Sequence, residues 1–174
     1  MTGRIGVYGG SFNPIHAGHV GVALRAAADL GLERVFVVPA KVSPFKTAGN
    51  AKAVFTDSQR WEMVCAACAP YPVLEPCDIE LARGGVSYTI DTVRAFRGTY
   101  PGAALYFIIG EDSLAGLPYW KDWDELQRLA TFVPYPRTQE SSTEIRRRIA
   151  AGEDIASLVP PKVAELIEGW HAAG

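Results

Sequence analysis

Short apolar runs alternate with longer amphipathic ones along this 174-residue chain. Ile5–Tyr8, Val35–Val38, Val73–Leu74, Leu105–Ile109 and Thr131–Val133 read as buried strands. Helical stretches fall between them. The first runs from about Gly18 to Leu30 and stops at Gly31, a natural C-cap. The second starts at Thr56, with Gln59 at capping-box spacing. A third follows Ser87-Tyr88-Thr89 and carries Ile90, Val93 and Phe96, and a fourth spans Trp123–Leu129. Strands that alternate with helices form right-handed βαβ units and a parallel sheet. The predicted fold is therefore α/β: one domain over residues 1–174, a Rossmann-like doubly wound parallel sheet with a short C-terminal helical segment. Such sheets bind ligands at the carboxyl ends of their strands. Two helices make up the C-terminal segment. Ser141 and Glu144 cap the first, and Pro160-Pro161 open the second, whose Val163, Leu166, Ile167 and Trp170 share one face.

The turn after the first strand carries the chemistry. Gly9-Gly10-Ser11-Phe12-Asn13-Pro14-Ile15-His16-Ala17-Gly18-His19 joins a strand to a helix. Glycines let a backbone pass close to an anion, and the free N–H groups at a helix start attract negative charge. His16 and His19 are three residues apart and share a helix face. That combination suits a polyphosphate. A metal reading is weaker, because zinc needs at least three protein ligands. The remaining histidine, His171, sits near the chain end, where a helix C-terminus favours it. Residues Ala40 to Ala53, with Lys41, Lys46, Lys52, Pro44, Gly49 and Asn50, read as a functional or mobile loop.

Composition excludes other classes. The net charge of −2 offers no bulk attraction to nucleic acid. Arg146-Arg147-Arg148 is the one tight basic cluster, and a solvated helix face accounts for Arg147 and Arg148. No run approaches 18 apolar residues, so no membrane span is expected. Without a signal-peptide pattern at Met1, a cytoplasmic location is expected. Cys65, Cys68 and Cys77 are an odd number, which argues against a disulfide framework. Cys65 and Cys68 form C-x-x-C inside an apolar helical stretch, not at a helix start, and read as buried structural thiols.

Ser141-Ser142-Thr143-Glu144-Ile145-Arg146 is a second phosphate signal: hydroxyls, a helix N-terminus and an arginine one turn in. Together with the first motif, the chain resembles the bacterial nicotinate-nucleotide adenylyltransferases of the H-x-G-H nucleotidyltransferase superfamily. The family's G-G-x-F-D-P-x-H-x-G-H appears as Gly9 to His19, with Asn13 in place of Asp. Its S-S-T-x-I-R appears as Ser141 to Arg146. Ser87-Tyr88-Thr89-Ile90-Asp91-Thr92, Gly110-Glu111-Asp112-Ser113-Leu114 and Trp120 match its middle motifs. The phosphopantetheine adenylyltransferases share the first and last motifs and a Val-Pro-Pro segment like Val159-Pro160-Pro161, but lack the middle set. A nucleotide-binding regulator without catalysis is the third reading. One further departure is the segment Pro134–Glu140, shorter than the family's.

The resemblance implies adenylyl transfer from ATP to nicotinate mononucleotide, with Mg²⁺ bound mainly to the triphosphate. It places His16, His19 and Arg146 at the reacting phosphates. It assigns Gly9, Gly10, Ser11 and Phe12 to the ATP side through backbone N–H groups, joined by Ser142 and Thr143. Lys46, Thr89, Gly110, Asp112 and Trp120 fall on the mononucleotide side, with Trp120 stacking on the pyridine and Asp112 at a ribose hydroxyl. ATP and nicotinate mononucleotide are the expected partners, with no nucleic acid and no membrane.

Overall fold

A computed structural model describes residues 3–44 and 54–173, so Lys46 and most of the predicted loop lie outside the described residues. Five strands, β1 (Arg4–Gly10), β2 (Arg34–Pro39), β3 (Leu74–Pro76), β4 (Ala104–Gly110) and β5 (Thr131–Tyr135), form one parallel sheet in the order β3-β2-β1-β4-β5. Val7 of β1 aligns with Phe36 of β2 and with Phe107 of β4. The order runs outward in both directions from β1, which is the doubly wound arrangement. The helices are α1 (Ala17–Leu30), α2 (Asp57–Cys68), α3 (Ile79–Arg83), α4 (Thr89–Thr99), α5 (Trp123–Leu129), α6 (Ser142–Ala151) and α7 (Pro161–Ala173). A 3-10 helix spans Glu111–Tyr119.

Strand side chains alternate between two cores, as the two-residue period of a strand requires. Ile5, Val7, Phe36, Val38, Leu105, Phe107 and Ile109 meet α4, α5 and the 3-10 helix. Val35, Val37 and Ile108 meet α1, α2, α6 and α7. Alanines at 23, 26 and 27 let α1 lie close to the sheet, and Gly31 ends it in the left-handed conformation (φ 61°). Thr56 and Gln59 form the reciprocal capping box that starts α2. Cys65 and Cys68 lie late in α2. Cys68 is buried as expected, but Cys65 is only half-buried; burial raises both thiols, Cys68 up to about 12, which favours the protonated form.

Sequence and structure differ at four elements. β3 begins one residue later than Val73. Neither the five-residue α3 nor the 3-10 helix follows from the pattern of apolar residues. At α6 only half of the expected box forms. Ser141 accepts the Glu144 N–H, while the Glu144 carboxylate turns to Arg147 and Arg148.

Candidate active site

The two histidines hold each other. His16 is the N-cap of α1, with extended backbone (φ −135°, ψ 177°). Its Nδ1 accepts the His19 N–H at 3.3 Å, and the His19 Nδ1 accepts the His16 N–H at 3.1 Å. A neutral imidazole that accepts at Nδ1 carries its proton on Nε2. In that tautomer the Nε2–H of each ring points away from the mutual bond. The rings stack at 3.6 Å with 21° between planes, and the Phe12 ring stands edge-on to His19 at 5.0 Å. His16 is only 5% exposed. Burial pushes its pKa down to about 4, opposed by the nearby Glu140 carboxylate.

Gly18 between the histidines is a packing requirement. A Cβ there would lie 2.9 Å from His16 Cε1 and 2.9 Å from Glu140 Oε2. The preceding loop is strained at Phe12 (φ 45°), a conformation side chains rarely adopt. Arg60, on α2, helps to fix it. Its guanidinium is 3% exposed and donates to the Ser11 carbonyl at 2.6 Å and to Asp57 at 2.8 Å. Asp57 also pairs with Lys41, and these two hydrogen bonds hold its carboxyl below the usual range.

α6 is fastened to the same loop. Ser142 Oγ donates to the Pro14 carbonyl at 2.9 Å, and Arg146 Nη1 donates to the Asn13 carbonyl at 2.8 Å. Arg146 Nη2 donates to Thr143 Oγ1 at 3.2 Å. Ser141 takes the Glu144 N–H, which leaves the first-turn N–H groups of Ser142 and Thr143 for a ligand. Arg147 points elsewhere, into an exposed pair with Glu144 and Glu153. The starts of α1 and α6 thus converge on one cleft of about 290 Å³, whose wall includes His16, His19, Gly110, Ser142, Thr143 and Arg146.

Of the predicted residues that the structure describes, some line one of two cavities and Gly9, Gly10, Ser11, Phe12 and Asp112 line neither. Gly9, Gly10, Ser11 and Phe12 stand behind the histidines and outside the cleft wall. Gly10 ends β1, its carbonyl accepting the Ala40 N–H, and a Cβ added there would lie 3.2 Å from the Phe12 ring. Thr89 and Trp120 line a second cavity of about 380 Å³, with Pro44, Tyr88, Tyr119 and Lys121. Thr89 is the first residue of α4, whose N-cap Tyr88 makes no side-chain cap bond. Trp120 meets Phe107 and Phe132 edge-on at 6.3 and 5.9 Å, so the ring belongs to the core as well as to the cavity. Asp112 is engaged: Arg137 donates to its Oδ2 through Nε and Nη2 at 3.0 and 2.7 Å. Ser87 and Thr92 are buried scaffolding. Ser87 Oγ accepts the Lys41 N–H, and Thr92 donates to Glu80. Arg60, Lys121 and Arg137 carry no motif. Arg60 alone left a trace, as a charge on the apolar stripe that continues through Met63, Val64 and Ala67.

The cytidylyltransferase-like family model matches residues 7–155. A Shouchella clausii protein named "Probable nicotinate-nucleotide adenylyltransferase" is 38% identical over 98% of this chain and 97% of its own length. The crystal structure of a Vibrio parahaemolyticus protein described as a nicotinate-nucleotide adenylyltransferase superposes with a TM-score of 0.80 at 22% identity, covering 96% of this chain and 99% of that one. A Plasmodium falciparum nicotinic acid mononucleotide adenylyltransferase complexed with NaAD gives 0.75 at 17% identity, covering 96% and 95%. On the family match and the full-length identity, the chain belongs to the cytidylyltransferase-like family and, within it, to the nicotinate-nucleotide adenylyltransferases.

Proposed function

We propose that the protein transfers the adenylyl group of ATP to nicotinate mononucleotide, releasing pyrophosphate and forming deamido-NAD. The observation that carries this is the histidine pair at the start of α1, held by mutual Nδ1 bonds in the wall of a cleft between two helix N-termini. Such a site stabilises charge on phosphate oxygens, and no covalent nucleophile is needed. The mononucleotide phosphate attacks the α-phosphorus in line, and catalysis is positioning plus electrostatics.

In this reading His16 and His19 donate to the α- and β-phosphate oxygens. The N–H groups of Ser142 and Thr143 and the unused donors of Arg146 hold the leaving pyrophosphate. The Ser142 hydroxyl is already given to Pro14, so its backbone serves. Thr89 and Trp120 take the pyridine, Gly110 lets the nucleotide pass the end of β4, and Asp112 offers a carboxylate to a ribose hydroxyl. Mg²⁺ enters as part of the substrate, neutralising triphosphate charge. Among the described residues no three His, Cys, Asp or Glu gather to hold a resident ion. Asn13 Oδ1, buried without a hydrogen-bond partner in the phosphate loop, would accept from a water carried by the metal.

His19→Ala tests the reading. It removes one preorganised donor, so kcat falls by about 10² or more, while stability falls only by the roughly 0.5–2 kcal/mol of a lost capping bond and the protein stays folded at the assay temperature. Turnover close to wild type would falsify the assignment of this cleft.

A further inference from the structure

The second cavity contains a cation that neither the motifs nor the family match assigns. Lys121 follows Trp120, and its ammonium sits 4.5 Å over the Tyr88 ring. Tyr88, Thr89, Trp120 and Lys121 all line the cavity of about 380 Å³. A cation over an aromatic face is held, not freely swinging. Its charge is also uncompensated. Among the described residues no carboxylate lies within 4.0 Å of Lys121, whereas nearby Arg94 is committed to Asp91, Asp122 and Glu125. Arg137 is likewise taken by Asp112 and Lys41 by Asp57.

We infer that Lys121 selects the acid form of the pyridine mononucleotide, its ammonium pairing with the ring carboxylate while Trp120 and Thr89 hold the ring. This rests on the adenylyl-transfer reading above. The acid and the amide differ here by one negative charge on the ring. Lys121 is exposed at the cavity wall; an ammonium held there over the Tyr88 ring rewards that charge, and the neutral amide leaves it unpaired. The mononucleotide phosphate is the other anion available, but it is common to acid and amide, so a lysine that held it would not distinguish them.

The test is kcat/KM for nicotinate and nicotinamide mononucleotide with wild type, Lys121→Gln and Lys121→Arg, with thermal melts as a folding control. Wild type prefers the acid, Lys121→Gln lowers the acid-to-amide ratio about tenfold, and Lys121→Arg restores most of it. Equal loss on both substrates places Lys121 at the shared phosphate and overturns the inference. So does an unchanged ratio, or a wild type that prefers the amide. Wild type inactive on both mononucleotides but active on phosphopantetheine overturns the adenylyl-acceptor reading itself, and the inference with it.

Discussion

His16 is both a helix cap and a phosphate ligand in this account, and the two roles share one protonation state. Its Nδ1 is occupied by the His19 N–H, so protonation there must break the cap as well as charge a buried ring. The folded chain therefore resists protonation until about pH 4, while the unfolded chain takes the proton near 6.5. The unfolded state binds more protons across that window, so stability rises with pH there and is lost as pH falls from about 6.5 to about 4. The contribution is about 3 kcal/mol, at 1.4 kcal/mol per unit. Urea unfolding at pH 7, 5.5 and 4.5 measures it. His16→Asn keeps a capping oxygen and removes the titration, and its curve is flatter; an equal slope in both proteins puts the pH dependence elsewhere. The arginine cluster divides just as sharply. Arg146 reaches the phosphate loop, while Arg147 lies in an exposed ion pair. Steady-state kinetics of Arg146→Lys will show a raised ATP KM or a lowered kcat, because an ammonium cannot make two aligned bonds. Arg147→Ala will be nearly silent in the same assay. Matching effects would mean that the cluster acts only as bulk charge.

Among the elements, α2 does work that its sequence only half discloses. Its apolar stripe is legible, as are the Thr56 cap and the Gly31 stop of α1, because local spacing decides those. Arg60 occupies a stripe position with a charge, which marks a buried partner without naming it. The partner is the Ser11 carbonyl, 49 residues away, and no local pattern encodes such a distance. Arg60→Met will fill the space but take the guanidinium from that carbonyl and leave Asp57 to Lys41 alone. Loss of a buried charged hydrogen bond costs about 2–4 kcal/mol, readable by denaturant titration. Because the loop carries the strained Phe12, turnover will fall as well; full activity in a destabilised Arg60→Met would show that the clamp supports the fold alone. The 3-10 helix Glu111–Tyr119 escaped the sequence reading for a different reason. Three residues per turn and an internal Pro118 leave no 3.6-residue period to detect. The candidate site was legible where it is made of helix starts and motif residues. It was hidden where it is made of long-range charge pairs, as at Asp112–Arg137.

At the scale of the molecule, the doubly wound sheet explains why the phosphate cleft and the second cavity are separate. β1 and β4 are neighbours at the centre, and their carboxyl ends lead to opposite faces. From β1 the chain passes to α1, and with α6 it builds the phosphate cleft. From β4 it passes through the 3-10 helix to Trp120 and Lys121, which with the start of α4 build the second cavity. In the proposed reading, a donor nucleotide on one side and an acceptor on the other meet at the switch point between these strands. α7 closes the phosphate side from behind, its Val163, Ala164 and Ile167 buried in the core shared with α2 and Trp170 set against Phe55. The central claim, that this two-cavity edge joins an adenylyl group to a pyridine mononucleotide, is tested most directly by one assay. Purified protein, Mg²⁺ and ATP labelled at the α-phosphorus are incubated in parallel with nicotinate mononucleotide, nicotinamide mononucleotide and phosphopantetheine. The account predicts label in a dinucleotide with nicotinate mononucleotide, matched by unlabelled pyrophosphate. Label transferred only to phosphopantetheine, or recovered only as AMP, would contradict it.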